Sequence, residues 1–213
     1  MEFTKALRKY LSERKGKIVD CAALHEGVFC VVPYKTLTKV INRFVKDGTL
    51  LLVSKGVYLV ACDQAVDVDK AIEDCYAFMT DGMEVGNGLY RRLGFPVEIG
   101  KRELLTNVIG SGNKNVGDCL IHGCGIRFFG YKEKWMVELL ELLSDCGRLM
   151  EIDPVLYTSQ VQGHCRSYSD AVLEAVLKGR VYPKTVISKL SLVLSKMGIV
   201  NHCVEIYERT NGI

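Results

Sequence analysis

The chain has 213 residues, of which 48% are hydrophobic and 25% charged. Those are the proportions of an ordinary globular protein, able to form one large or two small domains without disulfides or structural metals. Charges within Met1–Tyr10 stand where a signal peptide needs its apolar core, and no apolar run approaches the roughly eighteen residues of a membrane span. The expectation is a soluble, cytoplasmic protein with no membrane partner.

The cysteines number nine, an odd and scattered set, which argues against a secreted disulfide framework and for free, mostly buried thiols. The formal charge of +3 hides an asymmetry. Residues 1–60 hold eleven Lys/Arg against five Asp/Glu, whereas residues 61–213 hold seventeen against twenty. A basic head on a mildly acidic body is expected to meet a polyanion through the head.

Phe3, Ala6, Leu7, Tyr10 and Leu11 recur at helical spacing and predict a first amphipathic helix ending near Gly16. An extended link follows, and Asp20 then caps a short helix from Cys21 to about His25, closed by Gly27. Pro33 suits the first turn of a third helix. There Leu37, Val40, Ile41, Phe44 and Val45 form one buried stripe. Its opposite face carries Lys35, Thr36, Thr38, Lys39, Asn42, Arg43 and Lys46, and Asp47-Gly48 ends it. Residues 49–53 and 57–60 are strand-like runs around Ser54-Lys55-Gly56, a hairpin with glycine in its turn. Helix, helix, basic helix, hairpin is the order of a winged helix-turn-helix.

Residues 63–69 are polar enough for a linker. A helix whose apolar side is Ala71, Ile72, Cys75, Tyr76, Phe78 and Met79 follows, then a second from Val85 to Leu93. Residues 102–109 read as a strand, 110–115 as a loop, and 119–122 with 125–129 as a hairpin. Three more helices are marked by Trp135–Leu143, Tyr168–Lys178 and Pro183–Lys196. The expected fold class is α+β: a winged helix-turn-helix over residues 1–62, then a mixed α/β regulatory domain over 63–213 that ends in helices.

In a winged helix the third helix enters the DNA major groove, where Asn and Arg read base edges and Lys meets phosphate. That makes Lys35, Thr36, Thr38, Lys39, Asn42, Arg43 and Lys46, with Lys55 at the wing tip, the candidate DNA-binding residues. The competing reading is a winged helix whose polar face contacts a protein.

Other chemistries find little support. The glycines at 82, 86 and 88 do not follow a predicted strand and lack a Walker lysine, so close packing or turns explain them. Cys119-x2-His122-x-Cys124 lacks a fourth ligand, and on a strand Cys119 and His122 point to opposite faces. His25, His122, His164 and His202 form no catalytic constellation. Neither an enzyme nor a cofactor is expected.

The stretch Gly48-Thr49-Leu50…Lys55-Gly56-Val57-Tyr58 resembles the wing signature of AbiEi-type antitoxins, the regulator halves of bacterial abortive-infection (type IV) toxin–antitoxin systems. The resemblance continues through Gly82–Phe95, a strand like Leu104–Asn107 and a hairpin like that around Gly125–Phe128, and spans about residues 5–140. The order of the pieces carries it, none being specific alone. Family wings usually have arginine before the glycine-valine-tyrosine step, where this chain has Val53-Ser54-Lys55. The resemblance implies a head that binds inverted repeats in its own operon's promoter and represses it. It also implies a C-terminal part that opposes a nucleotidyltransferase-like toxin, although family members also occur without an evident toxin.

Overall fold

The computed structural model describes residues 2–98 and 100–212. It is a mixed α+β structure, with eleven helices and two small sheets among those residues. The basic head comprises α1 (Glu2–Ser12), β1 (Ile18–Asp20), α2 (Cys21–Gly27), α3 (Tyr34–Lys46), β2 (Leu50–Ser54) and β3 (Val57–Val60). β3 lies between β1 and β2 and is antiparallel to each. Asp20 caps α2 as its sequence position predicts, its Oδ1 accepting from the N–H groups of Ala22 and Ala23.

The alternation of a strand gives this sheet two apolar faces. Val19, Leu50 and Val60 pack beneath the helices with Leu7, Leu11, Leu24, Leu37, Val40, Ile41 and Phe44. Ile18, Val57 and Leu59 point the other way, into a core shared with the rest of the chain.

The body begins with α4 (Val68–Tyr76), β4 (Gly82–Val85), α5 (Gly86–Arg92), β5 (Arg102–Thr106), β6 (Gly112–Val116) and β7 (Cys119–Gly123). The second sheet runs β4-β5-β7-β6, with β5 and β7 parallel and the other pairs antiparallel. Six helices complete it: α6 (Tyr131–Ser144), α7 (Cys146–Ile152), α8 (Pro154–Cys165), α9 (Asp170–Gly179), α10 (Lys184–Lys196) and α11 (Cys203–Asn211). Every residue of α6 from Met136 to Leu143 is buried. A helix covered on all sides is the hub of its bundle, and α8, α9 and α10 pack around it.

Several local expectations change. Val85 ends a strand, and the helix expected from Val85 starts at Gly86. A four-residue strand opening on glycine is too short to show alternation, and only its pairing with β5 identifies it. The glycine at 86 therefore does follow a strand. Its φ is +62°, and the Glu103 carboxylate lies 2.7 Å from where a Cβ would stand, so turn and packing together demand glycine.

The strand expected to Ile109 stops at Thr106. The Thr106 hydroxyl accepts from the Val108 N–H, while the Asn107 amide donates to the carbonyls of Ile126 and Arg127. The loop expected over 110–115 contains β6, whose partner is β7, whereas residues 125–129 are not a strand. β6 is a polar edge strand, so no apolar rhythm marks it. Phe78 and Met79 lie beyond α4 and are exposed. The segment between 146 and 165, for which the sequence suggested no element, forms α7 and α8, the latter started by Asp153 and Pro154.

Residues 63–66 connect head and body without a regular element, but the two parts do not stand apart. α4 and the second sheet supply Ala71, Ile72, Tyr76, Leu104, Val116, Cys119 and Ile121 to the core that receives Ile18, Val57 and Leu59. The body thus covers the sheet face opposite α3, and the outward side of α3 stays open.

Candidate nucleic-acid interface

The turn between α2 and α3 is held by His25, whose ring Nε2 lies 2.8 Å from the Val32 carbonyl and whose ring packs edge-on against Tyr34. α3 starts at Tyr34, with Pro33 in the cap position rather than inside the helix. Leu37, Val40, Ile41 and Phe44 are buried and Val45 is half-buried, as the stripe predicts. At the far end Asp47 accepts from the Thr49 N–H and hydroxyl. These bonds, helped by Arg8, hold its carboxyl below the usual range. The C-terminal end of α3 thus carries an ionised carboxylate at neutral pH, whereas its first turn has no acidic residue.

The structure brings seven of the eight predicted residues onto one helix. Lys35, Thr36, Lys39, Asn42, Arg43 and Lys46 are exposed. Thr38 is half-buried, and its hydroxyl donates to the Lys35 carbonyl at 3.1 Å. None of the cations at 35, 39, 43, 46 and 55 forms an ion pair among the described residues. In the body Arg92, Arg102, Arg148, Lys178, Arg180, Lys184 and Arg209 each meet a carboxylate, while Arg91, Arg127 and Arg166 meet none among the described residues.

Lys55 stands apart from the other seven, on the hairpin turn. The turn needs Gly56, whose φ is +78°. It is drawn against the start of α2, where the Cys21 N–H donates to the Gly56 carbonyl at 2.9 Å. The hairpin is therefore short, and Lys55 is its only exposed cation.

The support beneath this surface comes from residues distant in the chain. Asp20, besides capping α2, has its Oδ2 2.6 Å from the Tyr76 hydroxyl and 2.6 Å from Lys114 Nζ. Both partners come from the body, 56 and 94 residues away in the chain, a distance no local pattern signals. Burial and the Asp20 charge push the Tyr76 hydroxyl far above its ordinary range, so it stays protonated and donates.

The other chemistry-bearing residues are occupied structurally. Cys119 lies in the core shared by head and body, whereas His122 bonds Glu103 and Asn113, and Cys124 belongs to the core of the helical bundle. Buried His164 stacks on Trp135 at 4.2 Å between ring centres. Its Nδ1 faces the Gln160 carbonyl and its Nε2 faces Glu138. Burial pushes the thiols of Cys21, Cys165 and Cys203 up to about 11 and that of Cys75 to about 12, keeping them protonated at neutral pH. No group of three His, Cys, Asp or Glu side chains that could hold a metal ion occurs among the described residues. No described helix is long and apolar enough to cross a membrane.

The sequence matches no model of a known protein family, and a search of curated proteins returns no match either.

Proposed function

We propose that the head is a winged helix-turn-helix that lays α3 in the major groove of double-stranded DNA, and that the protein is a non-enzymatic transcriptional repressor. The observation that supports this best is the concentration of cations on one helix face. Those of the α3 face and the hairpin turn are exposed and have no carboxylate partner among the described residues. Unpaired, exposed cations interleaved with Asn42 and two threonines are suited to phosphates and base edges. The element order and the β1-β3-β2 sheet agree with that motif. On the resemblance to AbiEi-type antitoxins, the DNA is an operator of inverted repeats in the protein's own promoter. By the same resemblance, the body opposes a nucleotidyltransferase-like toxin.

A second reading, a protein-interaction module, is favoured by exposed Val28, Val31 and Tyr34 at the approach to α3. Fluorescence anisotropy with operator and non-operator duplexes across a salt series separates the two. Steep loss of affinity with salt, and preference for the operator, support DNA binding. Absence of duplex binding at low salt overturns it.

A further inference from the structure

An apolar groove runs between α8 and α10, with a cavity volume of about 500 Å3, inside the roughly 300–1,000 Å3 of small-molecule sites. Its walls include Val161, Leu192 and Met197, and Leu192 is 55% exposed although it belongs to this apolar surface. No acidic side chain lines it, while Lys189 and Lys196 both do. Lys189 Nζ reaches the Leu143 carbonyl at 3.3 Å and Cys146 Sγ at 2.8 Å, neither of them a carboxylate. An ammonium has three donors, and the third has no protein acceptor among the described residues. A half-buried cation over an aliphatic trough calls for an anion with an apolar tail. Tyr157 is the one ring in the lining, and the rest of the apolar wall is branched or flexible aliphatic chains, which suits a linear alkyl chain over a flat aromatic one.

We propose that this groove binds a fatty carboxylate, its chain along Val161, Leu192 and Met197 and its carboxylate on Lys189, with Lys196 adding attraction at the rim. The site lies wholly in the body and is independent of the DNA reading.

Calorimetry on the full chain with dodecanoate, 1-dodecanol and dodecyltrimethylammonium tests it. Dodecanoate is expected to bind one to one, and about tenfold or more tighter than either control, because a charge-assisted hydrogen bond is at stake. Lys189→Met should remove most of that advantage, and Val161→Trp should fill the groove and abolish binding. Bound dodecanoate should also slow alkylation of Cys146 in the unsubstituted protein, a readout that needs no variant to fold. Equal binding of the three amphiphiles, retained binding in Val161→Trp, or no protection of Cys146 overturns the proposal. Self-association that dodecanoate leaves unchanged and Val161→Trp abolishes also overturns it, assigning the groove to a second copy.

Discussion

The Tyr76 hydroxyl donates to Asp20 Oδ2 at 2.6 Å, so the cap of α2 and the first helix of the body share one buried carboxylate. Removing the donor with Tyr76→Phe leaves that acceptor short of a partner and is expected to cost about 1.5–3 kcal/mol. Lys114→Met should cost a comparable amount. The double variant should depart from the sum, because both act on the same oxygen. Urea denaturation of the four proteins measures this, and strict additivity would show that the two bonds are independent. A fragment ending at Val66 uncovers Ile18, Val57 and Leu59. It should self-associate on size exclusion more strongly than the full chain at the same concentration.

On the proposed DNA complex, α3 separates reading from holding. Asn42→Ala or Arg43→Ala is expected to cost about 1–3 kcal/mol on the operator and to relax preference at one position. Thr38→Ala should cost less, its hydroxyl being already committed to the Lys35 carbonyl. Lys46→Ala and Lys55→Ala should weaken all duplexes alike, each lowering the salt slope by about one. If Asn42→Ala, Arg43→Ala, Lys46→Ala and Lys55→Ala all bind as the parent does while circular dichroism shows them folded, the helix is not a DNA reader.

Glu138 is buried between Arg92 and His164, at 2.8 and 2.9 Å. Burial by itself would raise its carboxyl, but hydrogen bonds from His164 and Arg92 outweigh that and hold it below the usual range. A carboxyl lowered by folding stabilises the protein above its ordinary titration range. That stability is lost as the pH falls through the lower, folded value. His164→Ala removes one partner of a buried charge and should destabilise by about 3–5 kcal/mol at neutral pH. Thermal melts from pH 7 downward should show the difference from the parent narrowing in acid.

His202 and Asp170 join the start of α11 to the start of α9, with Nδ1 2.6 Å from Oδ2. Donating to Asp170 raises the exposed imidazole above its ordinary value of 6.5. Burial would raise Asp170, but bonds from Tyr168 and His202 hold it below 3.8. The raised histidine contributes fully below 6.5, and its share is lost as the pH rises through the folded value. The lowered aspartate contributes above 3.8, and its share is lost as the pH falls. His202→Gln should therefore lower the melting temperature most in the mildly acidic range and least in alkaline solution. A deficit that stays constant with pH would contradict the charged pair.

All nine cysteines are free, so thiol titration in denaturant should find nine. In the native protein Cys30 is exposed, while Cys21, Cys165 and Cys203 are buried and held protonated. Cys30 should react first and those three last, which alkylation followed by mass spectrometry resolves. Early labelling of Cys165 would mean that the helical body opens readily.

The sequence alone determined what is local and periodic. The 3.6-residue stripe of α3 announces its buried side, and with that face turned inward the cations at 35, 39, 43 and 46 have nowhere to go but solvent. Asp20 before a short helix and Gly56 between two apolar runs are likewise complete within a few residues, and both stand as read. Tertiary structure decided everything that needed a distant partner. β4 and β6 are strands because β5 and β7 supply their hydrogen bonds, not because four residues or a polar edge prefer extension. α7 and α8 arise where no single stripe marks them, against a hub helix buried on every side. The sharpest case is Asp20. Its capping bonds reach three residues, legible at sight, but its second oxygen waits for Tyr76 and Lys114. Only when the body folds over the sheet does the carboxylate that starts α2 become the joint between the two halves.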